Sequence, residues 1–414
     1  MSTAGSASRL DRVPHRRWIL AVLAGGLIMV MSAPGQTAGL AVFTDPLIEA
    51  LDIDRTALSM SYLIGTITGA AAQPLIGRLS DRFDPRLVIA LIAAVLALVL
   101  VALSFISGIV GLTFGYVGVR MAGQGALGLA VTTALSRGIR HRRGLALGIA
   151  SAIGTAGISL SPVVLQPVLD AVGMRETWRW EALAVILVVF PLVFLLPRRD
   201  VTPVTGVTGH VPPHERWTTR EAMRTGMFWV LSAAVASSAL LVTALSFHQI
   251  GLLGERGLTP LQAAANFLPQ TVTALLCTLL VGALVDVVDP RIFVVSSMAL
   301  TGGALLMVPA IGPGWSAIAY GLVLGASGGA LRGMEAATFA RYYGVANIGA
   351  IRGVATSISL AASALGPIAL ALGVDFAGNF ATPSMLLAVI PALVVMGAAL
   401  VKPPRHPSGS APAQ

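Results

Sequence analysis

The chain has 414 residues, of which 56% are hydrophobic and 11% are charged, and its formal net charge is +9. Soluble domains carry about 25% charged residues, so this composition excludes a soluble globular protein and indicates an integral membrane protein. The basic residues are nearly all arginine and stand in short runs between apolar segments, without interleaved aromatic residues. This pattern favours orientation in a membrane over nucleic-acid binding.

Twelve apolar stretches are long enough to cross a membrane as helices, since about twenty apolar residues span the hydrocarbon core. They lie at 18–42, 57–76, 87–107, 112–134, 145–168, 180–196, 228–251, 261–284, 292–311, 315–340, 351–373 and 384–401. The first is too long for a signal-peptide core, and we expect it to be retained. The sequence therefore predicts an all-α integral membrane protein with twelve transmembrane helices in two pseudo-symmetric six-helix halves.

The two halves carry an internal repeat with an offset of 205 residues. The sequence GRLSDRFDPR at 77–86 matches GALVDVVDPR at 282–291, and Pro162 matches Pro367. A repeat of this length is a duplicated helical bundle, because solenoid units are only about 20–50 residues long.

The repeat and the composition predict the domain organisation. We expect helical bundles at 1–197 and 227–402, a cytoplasmic linker at 198–226 and a disordered tail at 403–414. The last part of the linker, 217–224, is predicted to form a short amphipathic helix on the membrane face.

The basic residues predict the orientation. Most of the 27 basic residues fall on the side of both termini and the linker, and only Arg55, Arg175, Arg179 and Arg256 fall on the other side. Because cytoplasmic loops carry the excess of Lys and Arg, we expect both termini in the cytoplasm and the chain in a bacterial-type inner membrane.

The loop between the second and third spans resembles a family signature. Four of its residues match the loop signature of the major facilitator superfamily, namely Gly77, Asp81, Arg82 and Arg86. The twelve-span layout with a central linker is also similar to that family. Asp84 stands where the family usually has Gly, and in the second copy, which keeps Asp286 and Arg291, Val287 replaces the usual basic residue.

We predict that this loop is a conformational latch. Gly77 permits a tight helix end, and Asp81 can accept hydrogen bonds from helix N-terminal amides or from an arginine. Arg82 and Arg86 can pair with neighbouring helices. Together with Asp286 and Arg291 of the second copy, these residues are expected to hold the outward-open state; the alternative is a solvated loop that only sets topology.

Arg120 is the main candidate for the substrate site. The sequence RMAGQG at 120–125 resembles the superfamily's Arg-x-x-x-Gln-Gly signature, which implies substrate binding or proton coupling for Arg120 and Gln124. Arg120 lies ~15 Å into the fourth span, where a cation costs at least ~2.5 kcal/mol on insertion scales, so we expect an interior position with a partner. That partner is either an anionic substrate or a structural carbonyl or polar side chain.

Four further residues lie on spans that line the cavity in this family, namely Gln36, Tyr62, Asn266 and Gln270. Each is a candidate for substrate binding, with helix–helix packing as the alternative. Arg332 and Glu335 lie three residues apart on the tenth span and can pair on one helix face. They lie ~26–30 Å along that helix, which favours a gate or a proton-coupling pair over the central site, with a plain ion pair as the alternative.

His248, near the far end of the seventh span, is a candidate proton-entry group because histidine titrates near neutral pH; an interfacial role is the alternative. Within the superfamily, SAPGQ at 32–36, FTDP at 43–46, ARYYG at 340–344 and GAIRG at 349–353 resemble bacterial monocarboxylate and oxalate/formate carriers. Those carriers often have a basic residue in the eighth span, and 261–284 has none.

These features predict a secondary transporter that moves a small organic anion, such as a monocarboxylate, by alternating access, with proton coupling left open. We expect a monomer in the lipid bilayer that binds no nucleic acid. One alternative is an efflux antiporter for drugs or hydrophobic compounds, and a distant one is a non-transporting receptor or structural subunit. The sequence has no paired acids, nucleotide-binding loop, zinc spacing or nucleophile–base arrangement, so we predict no enzymatic activity, metal or cofactor.

Overall fold

The computed structural model describes residues 15–139, 143–197, 217–285, 287–344, 347–402 and 404, and every regular element in them is helical. The helices are α1 (His15–Val30), α2 (Thr37–Ala41), α3 (Thr44–Leu51), α4 (Arg55–Arg82), α5 (Pro85–Leu103), α6 (Ile109–Val119), α7 (Gly128–Gly138), α8 (Arg143–Val193), α9 (Thr219–Met223), α10 (Gly226–Phe247), α11 (Gln249–Glu255), α12 (Pro260–Ala265), α13 (Phe267–Leu284), α14 (Pro290–Met307), α15 (Trp315–Tyr343), α16 (Ile348–Ala377), α17 (Ala381–Leu387) and α18 (Val389–Leu400). A π-helical segment, Arg120–Leu127, joins α6 to α7. The all-α prediction is confirmed.

Within the described residues, eight helices are long and apolar enough to cross a membrane. One of them, α8, holds the predicted fifth and sixth spans, which are separated at Gly173 by a non-helical backbone with φ 80° and ψ 170°. The predicted second and tenth spans lie in α4 and α15, and the fourth runs from α6 through the π-helical segment to α7. The described chain therefore accommodates the twelve-helix architecture.

Many of the exposed side chains on the long helices are large and apolar. On α13, Leu275, Leu276, Leu279 and Leu280 are 49–63% exposed, and Phe376 on α16 is 97% exposed. Contiguous exposed apolar surface of this kind is rare on soluble monomers, and helices satisfy their own backbone hydrogen bonds in lipid. These faces are suited to contact with lipid chains.

Three breaks within the predicted spans have proline as their cause. Pro34 lies in the 3-10 turn that interrupts the first span. Asn266 separates α12 from α13 and Ala388 separates α17 from α18, each three residues before a proline, Pro269 or Pro391. Proline cannot donate to the carbonyl four residues earlier and its ring crowds that carbonyl, so the helix is interrupted one turn before it.

The internal repeat is preserved in the local structure. Asp84 and Asp289 each cap the helix that follows, and their Oδ1 atoms accept from the amides of Arg86 at 2.8 Å and Arg291 at 3.0 Å. In both copies a proline occupies the start of the helix, where its missing N–H removes no helical hydrogen bond. Asp84, which departs from the family's usual Gly, thus acts as a helix cap.

The chain divides into two compact units. One comprises the described residues of Met1–Pro46 and Ile64–Pro203, and the other those of Leu47–Leu63 and Val204–Gln414. The helix α4 therefore begins in the second unit and continues in the first. The predicted bundle boundaries at 197 and 227 stay predictions.

Each unit has its own helix packing. In the first unit α1 and α5 pack on α8, and the rings of Phe43 and Trp178 stack at 3.7 Å. In the second unit α13 packs on α15 and α10 packs on α16. The short helix expected in the linker is present as α9, where Thr218 and Glu221 form a capping box.

Candidate functional site

Arg120 is held inside the first unit by two neighbours. Its side chain is 1% exposed. Its Nε donates to the Thr66 hydroxyl at 3.0 Å, and its Nη1 donates to the Gly35 carbonyl at 3.0 Å. Because Thr66 lies on α4 and Gly35 lies in the turn of the first span, one guanidinium joins three spans. The interior position agrees with the prediction, while a role in substrate binding stays a prediction.

Arg120 is also the first residue of the π-helical segment. Such segments are rare and occur frequently at functional sites. The backbone of this segment touches the turn of the first span: a Cβ built on Gly35 would lie 2.1 Å from the Val119 carbonyl oxygen and 2.7 Å from the Gly123 Cα. The glycines of the SAPGQ and RMAGQG sequences are therefore parts of one backbone contact.

Gln36 and Gln124 lie at the edge of this contact, and both are half-buried. The Nε2 of Gln36 donates to the Ser32 hydroxyl at 3.3 Å. In the part of the chain that is described, the Gln124 side chain makes no hydrogen bond. Three predicted site residues, Arg120, Gln36 and Gln124, are thus brought together within the first unit.

Asn266 and Gln270 belong to a buried amide network in the second unit. The Nε2 of Gln270 donates to Oε1 of Gln249 at 2.7 Å and to Oδ1 of Asn266 at 3.1 Å. Gln249 and Asn266 in turn donate to the carbonyls of Ala263 at 3.0 Å and Ala317 at 2.6 Å. This geometry is that of hydrogen-bonded helix packing, the alternative considered for both residues.

The ion pair predicted between Arg332 and Glu335 is not formed. Glu335 instead binds Arg352 at the start of α16, with Nη2 and Oε1 3.1 Å apart. Helical side chains lean towards the N-terminal end of their helix, and the Nη1 of Arg332 accordingly lies 3.3 Å from the position of a Cβ built on Gly328. Among the described residues Arg332 has no hydrogen-bond or ion-pair partner.

His248 also belongs to the second unit and is fully buried. Its Nε2 is 2.9 Å from the Pro367 carbonyl oxygen and 3.5 Å from the Ser59 hydroxyl. Tyr62 lies in the same place, with its ring centre 4.5 Å from that of Phe247. Tyr62 is therefore grouped with His248 in the second unit.

The predicted latch residues are described only in part. Asp286 lies outside the described residues, and Gly77 and Asp81 are described as backbone of α4 alone. Arg86 donates from Nε to the Leu196 carbonyl at 2.9 Å and also from Nη2 to the same oxygen. These bonds tie the start of α5 to the segment that follows α8.

In the second copy of the loop the contacts come from a different arginine. Arg341 donates from Nη1 to the carbonyls of Val285 at 3.1 Å and Val288 at 2.8 Å. Both copies of the loop are thus held by arginine–carbonyl bonds, and their action as a latch stays a prediction.

A family model described as the Major Facilitator Superfamily matches residues 19–268, which is more than half of the chain. The chain belongs to the major facilitator superfamily. As a member of this superfamily it is a multi-pass membrane transporter. The narrower likeness to monocarboxylate and oxalate/formate carriers stays a prediction.

Two related proteins align with different fractions of this chain. A protein described as an uncharacterised 38 kDa protein in the 23S RNA operon of Thermoproteus tenax is 30% identical over 393 residues, covering 93% of this chain and 95% of that protein. A triacylglyceride transporter of Mycolicibacterium hassiacum is 31% identical over 215 residues, covering 48% of this chain and 38% of that transporter.

Solved structures of transporters share the superfamily fold. A bacterial homologue of the human lysosomal transporter Spinster, in an inward-facing and unoccupied conformation, has 17% identity and a TM-score of 0.75, with 94% of this chain and 97% of that chain covered. A variant of the nucleoside transporter NupG has 13% identity and a TM-score of 0.71, with 92% and 99% covered. At these identities the likeness supports the fold alone.

Sequence reasoning missed one buried carboxylate of this transporter. Glu181 on α8 is 8% exposed, and its Oε2 has no hydrogen-bond partner among the described residues. Glu181 stands at the start of the predicted sixth span, and carboxylates at span ends or in loops were not expected to be buried. The helical spacing of Glu181 from Trp178, which is fully buried, is the signal that predicts an inward-facing side chain.

Proposed function

We propose that the protein is a secondary transporter that moves a small organic anion, such as a monocarboxylate, by alternating access. One observation carries this proposal. The neighbouring parts of α15 and α16 hold two guanidinium groups, Arg332 and Arg352, and one carboxylate, Glu335. Glu335 forms an ion pair with Arg352. A cation inside a membrane span is costly without a partner, so Arg332 favours an anionic ligand.

The buried guanidinium of Arg120 supports the same charge preference in the first unit. A carboxylate ligand forms charge-assisted, bidentate hydrogen bonds with arginine, which adds both affinity and orientation. In this proposal Arg332 binds the ligand carboxylate within the second unit, and Arg120, with Gln36 and Gln124, is the polar group of the first unit. The protein acts in a bacterial-type inner membrane with both termini in the cytoplasm.

Glu335 is the proposed carrier of a coupling proton. Its side chain is 21% exposed and that of Arg352 is 37% exposed, so both are partly accessible. Protonation of Glu335 would break its pairing with Arg352 and leave both arginines to the anion. The protein would then take up an anion and a proton together, and Glu335 would carry the proton.

A second candidate function is efflux of hydrophobic compounds. It is favoured by the likeness of about half of this chain to a triacylglyceride transporter. The buried carboxylate of Glu181 is also of the kind that a lipophilic cation would require. In that case the ligand would be apolar or cationic, and Arg332 would not contact it.

Ligand-induced thermal stabilisation of the purified protein tests the proposal. Formate, lactate, oxalate and a panel of lipophilic cations would be added at pH 6.0 and 7.5 to the wild type, Arg332→Gln and Arg220→Gln. Arg220 is exposed on α9 and serves as the matched control. A ligand that binds the folded state at a hundredfold excess over its Kd adds about 2.7 kcal/mol of apparent stability.

We expect a carboxylate to stabilise the wild type and Arg220→Gln but not Arg332→Gln. A larger carboxylate shift at pH 6.0 than at pH 7.5 would indicate that a proton binds together with the anion. Stabilisation by lipophilic cations alone, unchanged in Arg332→Gln, would replace the anion proposal with the efflux function.

A further inference from the structure

The N-terminal turns of α4, residues 55–62, here termed the α4 tip, are bound within the second unit. The Thr56 hydroxyl donates to the Asp375 carboxylate near the end of α16. The Arg55 guanidinium carbon lies 5.3 Å from the centre of the Phe380 ring. By the sequence repeat the α4 tip belongs to the first half of the chain, yet it packs with residues of the second half.

His248 is buried directly beneath the α4 tip. Its side chain is 0% exposed. Its Nε2 lies 2.9 Å from the Pro367 carbonyl oxygen, to which it donates, and 3.5 Å from the Ser59 hydroxyl of the α4 tip. The rings of Phe247 and Phe380 lie 5.0 and 5.9 Å from the imidazole. Its Nδ1 is buried and has no hydrogen-bond partner among the described residues.

This environment stabilises a neutral imidazole relative to a charged one. With Nε2 donating to the Pro367 carbonyl, the Nδ1 of a neutral ring carries no proton and leaves no donor unsatisfied. A proton on Nδ1 would be a buried donor without an acceptor, and it would place a full charge where water does not reach. The bound α4 tip therefore keeps His248 uncharged.

The charged groups on the surrounding elements do not offset this penalty. Arg55 on the α4 tip adds repulsion to a second cation. Asp375 on α16 accepts from Thr56, and Glu255 on α11 pairs with Arg256 at 3.1 Å and accepts from a backbone amide at 2.9 Å. Both carboxylates are thus occupied by other donors.

We propose that His248 is a proton-binding site that is covered by the α4 tip and becomes available only when the tip withdraws. Its ligand is the proton. The site lies at the end of α4 opposite the loop at 77–86, and the proposal holds whatever the charge of the transported substrate.

The sign of the pH effect follows from linkage, because the state that binds the proton gains population as pH falls. Histidine in water titrates near pH 6.5, while the covered imidazole stays neutral. Between pH 7.5 and 5.5 the ratio of withdrawn to bound α4 tip should therefore rise about tenfold. A lower pH therefore favours withdrawal of the α4 tip from His248.

Distance measurements between two spin labels test the proposal. The labels replace Met60 on α4 and Met385 on α17, which are 42% and 45% exposed, in a Cys277→Ser background that removes the natural cysteine. Distance distributions would be recorded by pulsed electron paramagnetic resonance in lipid nanodiscs at pH 7.5 and 5.5, without substrate. We expect a longer-distance population whose ratio to the short one rises about tenfold at pH 5.5.

Three variants separate His248 from other titrating groups. His248→Gln, and His248→Asn as a second neutral variant, should keep the short distance at both pH values. Asp375→Asn keeps an acceptor for Thr56 but removes that carboxylate's own titration, so its pH response should remain. A wild type with one distance at both pH values, or a response that survives in the neutral His248 variants, would overturn the proposal.

Discussion

Arg120 is a single residue whose contacts require a guanidinium group. Its two hydrogen bonds point at Thr66 and at the Gly35 carbonyl, a geometry that suits the planar fork of a guanidinium and not a compact ammonium. We expect Arg120→Lys to lower the free energy of unfolding by about 1.5–3 kcal/mol, the usual contribution of a hydrogen bond to a charged group.

Thermal unfolding in detergent would measure this loss. The matched control is Arg220→Lys, the same substitution at an exposed position of α9, which should leave the unfolding temperature unchanged. Equal unfolding temperatures for Arg120→Lys and the wild type would show that the two bonds do not hold the spans together.

Glu181 is a buried residue whose substitution should stabilise the protein, in contrast to that of Arg120. A carboxylate with a buried, unpartnered oxygen among the described residues is costly when ionised. We expect Glu181→Gln, which keeps the shape and removes the charge, to raise the unfolding temperature at neutral pH. Glu176→Gln is the control, because Glu176 pairs with Arg179 at 2.6 Å on an exposed surface, where such pairs contribute no more than about 1 kcal/mol. Destabilisation by Glu181→Gln would mean that the carboxylate is ionised and paired.

Among the structural elements, the turn at Ala33–Gly35 has little room to change. A methyl group on Gly35 would lie 2.1 Å from a backbone oxygen, which cannot rotate away. We expect Gly35→Ala to cost about 1–3 kcal/mol or more of stability. Gly128→Ala is the control, because nothing lies within 4 Å of its built Cβ and alanine is the better helix former by about 0.5–1 kcal/mol. Similar unfolding temperatures for the two variants would contradict this packing.

The backbone of α8 at Gly173 makes a separate prediction. Its φ of 80° and ψ of 170° are accessible to glycine and strained for other residues. We expect Gly173→Ala to cost about 1–3 kcal/mol through strain alone, since no atom lies within 4 Å of the built Cβ. Gly148→Ala, in the regular part of the same helix and equally uncrowded, should be neutral or stabilising in the same unfolding assay. If Gly173→Ala left the stability unchanged, the fifth and sixth spans would have to separate at a residue other than Gly173.

The sequence predicted these elements well where local rules decide the structure. Hydropathy located the spans, whereas the caps formed by Asp84 and Asp289 were found only in the structure. It did not predict the partner of Glu335, because the spacing rule considers only residues of the same helix and Arg352 lies on the next one. The burial of Glu181 and the grouping of Tyr62 with His248 depend on tertiary packing that no local pattern encodes.

For the whole molecule, the distribution of arginines predicts the orientation. Most basic residues lie on the side of both termini and the linker, so we expect a fluorescent protein fused to either end to fold and emit in the cytoplasm. Alkaline phosphatase fused at the same positions should be inactive, and active when inserted near residue 175. Active phosphatase at either terminus would contradict the orientation.

The π-helical segment at Arg120–Leu127 has a further consequence for the fourth span. Such a segment holds one residue more than the α-helix it replaces, and one residue corresponds to about 100° of rotation. The helices before and after it are therefore out of phase with each other. A single helical wheel drawn over 109–138 assigns the wrong faces to half of the span, and two wheels, offset at the segment, are needed to place its side chains.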